Sequence, residues 1–455
     1  MHEIIYVQSG TYANYIGQHF WNVQESYFDW EEEPEEVNER KPPEVNHDIS
    51  FREGLGTNGV STYLPRVLIF DSKDVFGSIP KYNTMYESVA GEEANDSASW
   101  TGQSVSYQQP LHPKSQYQCD LDEQTTKASQ TIESRRTYNP STWADYTSVY
   151  YHPCSIWPVS YILTGTGNKW DEGEDAWGRL QHENDFWDKD FRLFAEECDL
   201  LQGLQATSSA SDAFASLSAS LLQTFRDEYP KLPALLFLPL SQRKEKFNPY
   251  DLAERRRLST ESKMLVMSAE AEATIIPLQC PATWSKGQWT TELALDLNFG
   301  EAYQSSALLS AHIESATLSL RLNSNPTSLS SLTSLLNYHT DTPISHLSGA
   351  LPLYDTLFTN KIYDFSTVLD ASVPDTPTFS ACTTYRGLLS PQTRVNLTER
   401  LEQSIGIREP LLQLFIVLCP TISYFDFIPS YSGNSFEQCT AAVYVAHNLS
   451  HIIIS

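Results

Sequence analysis

Residues 198–230 read CDLLQGLQATSSASDAFASLSASLLQTFRDEYP. A helix is expected over Ala210 to Glu228 and another over Trp187 to Leu201, with a short connection around Gly203. The run that follows, Pro233 to Leu240 (PALLFLPL), reads as a buried strand. The same grammar of strand, turn and helix recurs on the N-terminal side. Glu3 to Val7 (EIIYV) is a strand, Ser9 and Gly10 a turn, and Ala13 to Gln24 a helix carrying Ile16, Phe20, Trp21 and Val23. Arg66 to Phe70 (RVLIF) is a strand ending at Asp71. Ile156 to Leu163 (IWPVSYIL) is another, followed by a turn at Gly165, Thr166, Gly167 and Asn168. Ser306 to Leu322 carries a further helix or helix–strand pair. Repeated units of this kind predict an α/β fold with a largely parallel sheet covered by helices.

Between these units lie two stretches of different character. Trp30 to Glu44 (WEEEPEEVNERKPPE) is acidic and broken by proline, an exposed loop. Tyr82 to about Ser148 is rich in Ser, Gln, Thr, Asn and Tyr with little periodicity, and is expected as an insertion outside the core. Beyond about residue 330 Ser, Thr and Pro recur, with a helix expected at Thr398 to Ile405 and a strand at Leu411 to Leu418. Three spans result: 1–117, with the polar insertion beginning near 78; 118–330, with the insertion ending near 150; and a smaller C-terminal α+β domain over 331–455.

Composition sets the outer limits. Hydrophobic residues make up 40% and aromatics 12%, with ten Trp, so the chain is expected to fold. The net charge is −27, from 57 acidic and 30 basic side chains. That excess repels nucleic acid and anionic membrane alike, and leaves a basic partner or simple solubility as its use. Seven Cys, odd in number and without a CxxC pair, indicate reduced thiols in a cytosolic setting. The start, MHEIIYVQSG, resembles neither a secretory signal nor a transit peptide. Leu411 to Cys419 is about half the length needed to span a bilayer. The His residues show no metal spacing.

The 198–230 run resembles a tubulin segment that reads C-D-x-L-Q-G-F-Q, then the glycine loop GGGTGSG, then a helix ending R-E-E-Y-P. Cys198, Asp199, Leu201, Gln202, Gly203, Gln205, Thr207, Ser209, Leu221, Leu222, Arg226, Glu228, Tyr229 and Pro230 coincide without a gap. QSGTYANYIGQHFW resembles tubulin's opening at Gln8, Gly10, Asn14, Ile16, Gly17, Phe20 and Trp21. Tyr63, Pro65, Arg66 and Asp71 fit Y-V-P-R-A-V-L-V-D, and Gly165, Gly167, Asn168, Trp170 and Gly173 fit G-A-G-N-N-W-A-K-G. These ordered matches cover about the first 320 residues. Within the tubulin superfamily the combination resembles the misato family. That resemblance implies a tubulin-like domain with a divergent pocket and a role in mitochondrial distribution, morphology and inheritance. With neither a transit peptide nor a membrane span seen, that mitochondrial location is expected to be peripheral, at the cytosolic face, with a cytoplasmic pool, and the candidate partners are tubulin, a chaperonin or outer-membrane proteins.

The glycine loop of tubulin lets backbone N–H groups crowd a phosphate at a helix N-terminus. Glycine supplies both the backbone angles and the missing Cβ. Here the seven matching positions are Ser211, Asp212, Ala213, Phe214, Ala215, Ser216 and Leu217, of which Ser216 alone agrees. A carboxylate some 4 Å from phosphate costs roughly 4 kcal/mol per unit pair at an effective dielectric of about 20. Asp212 reads instead as an acid of the first turn that stabilises its own helix. Thr11 and Tyr12 stand where tubulin's Gln and Cys approach nucleotide, and Lys73 replaces a Glu near the Mg²⁺ position while Asp71 remains. Ala269 falls where an Asn would read guanine. Leu320 to Leu329 (LRLNSNPTSL) has lost the acid that orients water for a neighbouring subunit and gains Pro326.

The residual pocket positions are therefore Gly10, Thr11, Tyr12, Asn14, Asp71, Gly165, Gly167, Asn168, Ser211, Asp212 and Ser216. Several also have a structural reading: Gly10 and Gly17 as turn and packing glycines, Asn14 and Asn168 as caps, Asp71 as a turn-former; Gly165 and Gly167 keep a binding one, as an anion nest. The expectation is a pseudo-GTPase with no cofactor and no metal, working through protein partners. A divergent GTPase and a tubulin- or chaperonin-associated factor are the alternatives.

Overall fold

The computed structural model describes residues 2–28, 43–55, 61–77, 140–159, 169–241, 250–281, 299–323, 326–337 and 343–351, four further strands up to residue 447, and a few isolated positions. Its centre is a six-stranded sheet, every pair of which is parallel. In chain order the strands are β1 (Ile4–Ser9), β4 (Val67–Ser72), β5 (Ile156–Val159), β6 (Gly203–Ser208), β7 (Ala234–Pro239) and β8 (Thr274–Leu278). Between β1 and β4 a two-stranded antiparallel ribbon, β2 (Phe51–Leu55) and β3 (Ser61–Pro65), hangs off the sheet. The spatial order is β5-β4-β1-β6-β7-β8, so the first strand made lies inside the sheet. Every residue of β1, β4, β6 and β7 is buried, as a parallel sheet covered on both faces requires.

Alternation of side chains along the strands feeds two cores. Tyr6, Ile69, Phe237 and Ile276 point to one face, where helices α1 (Thr11–Ser26) and α6 (Ala302–Thr317) lie. Val7, Phe70, Leu236 and Ile275 point to the other, covered by α2 (Trp170–Asn184), α3 (Arg192–Glu196), α4 (Ala213–Glu228) and α5 (Leu252–Glu270). After α6 a helix α7 (Leu329–Leu336) leads to a second sheet. This holds β9 (Ser345–Leu351), β10 (Tyr363–Ser366), β11 (Thr378–Arg386), β12 (Phe415–Cys419) and β13 (Ala441–His447) in the order β10-β9-β13-β11-β12. It is mixed, with β11 and β12 parallel and the other pairs antiparallel. The expected strand at Leu411 to Leu418 is thus present as β12, whereas the helix at Thr398 to Ile405 lies outside the described residues.

Three expectations need correction. The connection around Gly203 is the strand β6, paired with β1 on one side and β7 on the other. Its GLQATS sequence hides it, because half of its buried side chains are polar. The polar insertion does not run to 150 outside the core. From Pro140 the chain returns, and Trp143, Ala144, Tyr146, Val149 and Tyr151 are buried beside α1. Finally, Trp187 to Leu201 is not one helix: a π-helical turn at Trp187–Phe191 precedes the five-residue α3, and the chain then enters β6. That turn stacks Trp187 on Phe191 at 4.1 Å between ring centroids.

Candidate functional site

The carboxyl edge of a parallel sheet is where turns gather and ligands usually sit. Here the turns after β1, β4 and β6 meet. Gly10 ends β1 with φ +94, a left-handed angle that an L side chain rarely adopts. A Cβ placed on it would stand 2.7 Å from the Cβ of Ser209 and 3.4 Å from that of Phe214. Its N–H donates to the Phe70 carbonyl at 3.0 Å, and the Ser209 N–H donates to the Ser9 carbonyl at 2.8 Å. The first turn and the turn after β6 are therefore in direct contact. Gly17, about two turns of α1 further on, has the Gln8 side chain packed where its Cβ would be.

Asp212 is the N-cap of α4. Its carboxylate accepts the Phe214 N–H at 2.9 Å and the Ser209 hydroxyl at 2.6 Å. Enclosure pushes the carboxyl above its ordinary value, while these donors pull it back. The helix terminus that tubulin offers to phosphate is thus neutralised by the chain's own acid, and Phe214 is only 4% exposed beside it. Ser211 is half-buried in the turn. Ser216, the matching position that agrees with tubulin, does not line the turn. It donates to the Trp170 carbonyl at 2.5 Å and the Ala213 carbonyl at 2.9 Å, beside Gly173, and so cements α4 to α2.

Asp71 closes the third turn and is 0% exposed. Its carboxylate accepts four donors: Asn14 Nδ2 at 2.8 Å, Thr11 Oγ1 at 2.9 Å, Trp143 Nε1 at 2.9 Å and the Ser72 N–H at 2.8 Å. Asn14 also donates to the Phe70 carbonyl at 3.0 Å. Burial raises the Asp71 carboxyl to about 6, with the Asn14 bond the largest opposing effect. Tyr12 turns the other way, its hydroxyl donating to Ser305 Oγ on α6 at 3.0 Å, and burial raises it far above its ordinary value. Lys73, by contrast, is exposed. The structure therefore brings Gly10, Thr11, Tyr12, Asn14, Asp71 and Asp212 together, each held by protein. Gly165, Gly167 and Asn168 lie outside the described residues.

Two sequence expectations at the periphery change. Ala269 belongs to the last turn of α5, which leads into the start of β8, so it sits at the amino edge of the sheet, opposite Gly10. The Leu320 to Leu329 segment begins as a 3₁₀ turn whose Arg321 is fully buried. Arg321 pairs with the equally buried Glu314 at 3.2 Å, donates to Thr317 Oγ1 at 3.0 Å and lies 5.0 Å from the Phe20 ring centroid. Its carbonyl accepts the Asn46 N–H at 2.7 Å, and Asn323 donates to the Glu44 and Pro43 carbonyls at 2.9 and 2.7 Å. A loop that contacts a neighbouring subunit in tubulin is here bound to the end of the chain's own acidic loop.

Trp143 is the site residue that sequence reading missed. It lies at the end of an aperiodic polar stretch, and nothing in its spacing to Asp71, 72 residues away, marks the pair.

Sheet order, the three converging turns and the long helix α6 define a tubulin-like α/β protein. Family models agree: one described as Misato Segment II tubulin-like domain matches residues 2–123, and one described as Tubulin domain matches residues 133–322. Protein dml-1 of Neurospora crassa is 34% identical over 346 residues, covering 74% of this chain and 60% of its own. Protein DML1 of Gibberella zeae is 33% identical over 366 residues, covering 77% and 68%. Protein misato of Drosophila melanogaster is 29% identical over 366 residues, covering 72% and 61%. The chain belongs to the misato family of tubulin-like proteins. It spans 60% of the length of the Neurospora crassa relative. Among the described residues no helix is long and apolar enough to cross a membrane.

Proposed function

We propose that this protein is a pseudo-GTPase: a tubulin-like scaffold that works by binding protein partners in the distribution of mitochondria and the inheritance of their DNA. One observation carries the non-catalytic part. The groups that would receive a nucleotide are engaged with one another, Asp212 on its own helix terminus and Asp71 on Thr11, Asn14 and Trp143. A phosphate entering between Gly10 and α4 would meet a carboxylate and an aromatic ring instead of bare N–H groups. The described residues of these turns do not fit a nucleoside triphosphate.

The mitochondrial part is supported by family membership, and a peripheral position at the cytosolic face with a cytoplasmic pool is proposed with it. Calorimetric titration with GTP and Mg²⁺ tests the first part. No heat of binding is expected, and micromolar affinity overturns the reading. Imaging of a tagged protein with protease protection of isolated mitochondria tests the second. The tag is expected to be protease-sensitive at the organelle surface, and exclusion from mitochondria overturns it.

A further inference from the structure

Helix α5 packs on the sheet through a narrow inner line of Glu254, Thr260, Met264 and Ser268, all buried. The opposite side is different. Leu252, Arg255, Arg256, Ser259, Lys263 and Val266 follow each other at helical spacing along one outer strip, and every one is exposed. Leu252 and Val266, at its two ends, are 63% and 54% exposed, and Tyr250 just ahead of the helix is 89% exposed. Two of the three acids of this helix are turned away or occupied: Glu254 faces inward beside Arg257 and Glu261 accepts the Ser241 hydroxyl, while the exposed Glu270 follows Val266 one turn on, at the end of the strip. Among the described residues, no carboxylate forms an ion pair with Arg255, Arg256 or Lys263, and the exposed Lys263 ammonium lies 5.2 Å from the centroid of the Trp170 ring. In a chain of net charge −27 this is a cationic strip with an apolar side chain at each end.

We infer that the outer face of α5 is a docking site for an acidic segment of a partner protein. The apolar ends are fourteen residues apart by number (Leu252 to Val266), roughly 21 Å along a helix, which an extended peptide covers in about six residues. The occupant is thus a short run of Asp or Glu bounded by apolar side chains, its carboxylates over Arg255, Arg256 and Lys263. Charge complementarity favours a peptide over an anionic membrane. A peptide meets only the strip, within a Debye length of about 8 Å, whereas a membrane presents a plane of like charge to the rest of an acidic molecule. The inference names a partner class for the partner-binding reading and rests on it. The GTP titration tests that reading separately, so the two failures are distinguishable.

The test is fluorescence anisotropy of a fluorescein-labelled peptide of about six glutamates with a leucine at each end, titrated with the full chain. Binding is expected at about 50 mM salt and is expected to weaken about tenfold near 300 mM. R255E/R256E is expected to weaken it about tenfold more at low salt, with circular dichroism unchanged, while R255K/R256K binds as the parent does. Absence of binding by the parent at low salt overturns the assignment, as does equal binding by the folded R255E/R256E variant. Flotation with phosphatidylcholine–phosphatidylserine vesicles is the remaining arm. Capture of vesicles by the parent that R255E/R256E loses, without peptide binding, makes the strip a membrane site and overturns the peptide.

Discussion

The turn region at Gly10 and the outer face of α5 handle charge in opposite ways. At the turns two carboxylates are enclosed and every described partner is internal: Asp71 holds four donors and Asp212 caps its own helix. On α5 three exposed cations form no ion pair with a carboxylate among the described residues, Lys263 resting over the Trp170 ring. Enclosed charge that is fully hydrogen-bonded fixes geometry and leaves little for a visitor to gain. Unpaired surface charge contributes little to folding and is available for recognition. On the proposed reading, positions that match tubulin's nucleotide site serve as internal fastenings, and the capacity to bind lies elsewhere on the surface.

The largest test of this contrast removes the Trp143 ring. Trp143→Ala empties a fully buried site and strips Asp71 of a donor, and a loss of about 3–5 kcal/mol is expected in urea unfolding. A loss under 1 kcal/mol would mean that the returning segment is not part of the core. Next comes pH. Asp71 titrates near 6 in the folded chain, above its unfolded value of about 3.9, so the folded state holds the extra proton between these values. Stability from this group is therefore greatest at low pH and declines as pH rises through about 4 to 6, by roughly 3 kcal/mol in all. The difference in unfolding free energy between the parent and Asp71→Asn, followed across that window, should show this slope. A difference independent of pH would refute it. Asp212→Ala removes only a cap and is expected to cost about 1 kcal/mol in the same assay. The smallest effect belongs to the other region: R255A/R256A should change stability by less than about 0.5 kcal/mol. A larger loss there would erase the distinction between the two regions.

Much of this was legible in the residues. The ungapped run from Cys198 to Pro230, with the turns at Gly10 and Asp71, is enough for the parallel sheet and its order of units. These signals are local and covalently spaced, so they survive in a single sequence. Asp212 as a helix-stabilising acid was legible for the same reason, since a cap acts within three residues of itself. What escaped depends on distance or disguise. Trp143 meets Asp71 across 72 residues, much of it polar and aperiodic. β6 is a central strand with Gln205, Thr207 and Ser208 buried in it, and its low apolar content made it resemble a connection. Ser216 agreed with the tubulin pattern yet bonds to the next helix, because identity of a residue does not fix which neighbour its hydroxyl finds. The place of Ala269 depends on which end of the sheet α5 returns to, which a match of residue types does not contain.

The position of β1 inside the sheet has a consequence for the growing chain. Its two neighbours are β4, which reaches Ser72, and β6, which reaches Ser208, so one edge of β1 has no partner until the chain has been synthesised as far as Ser208. At about 5–20 residues per second, that interval lasts roughly ten to forty seconds. Throughout it, Ile4 to Ser9 offers open N–H and C=O groups and apolar side chains to whatever is nearby on the ribosome. The bridge from Val45 to Leu322 closes later still. Pairing that waits on so distant a segment is the slow, non-local kind that leaves a strand edge open to mispairing during synthesis.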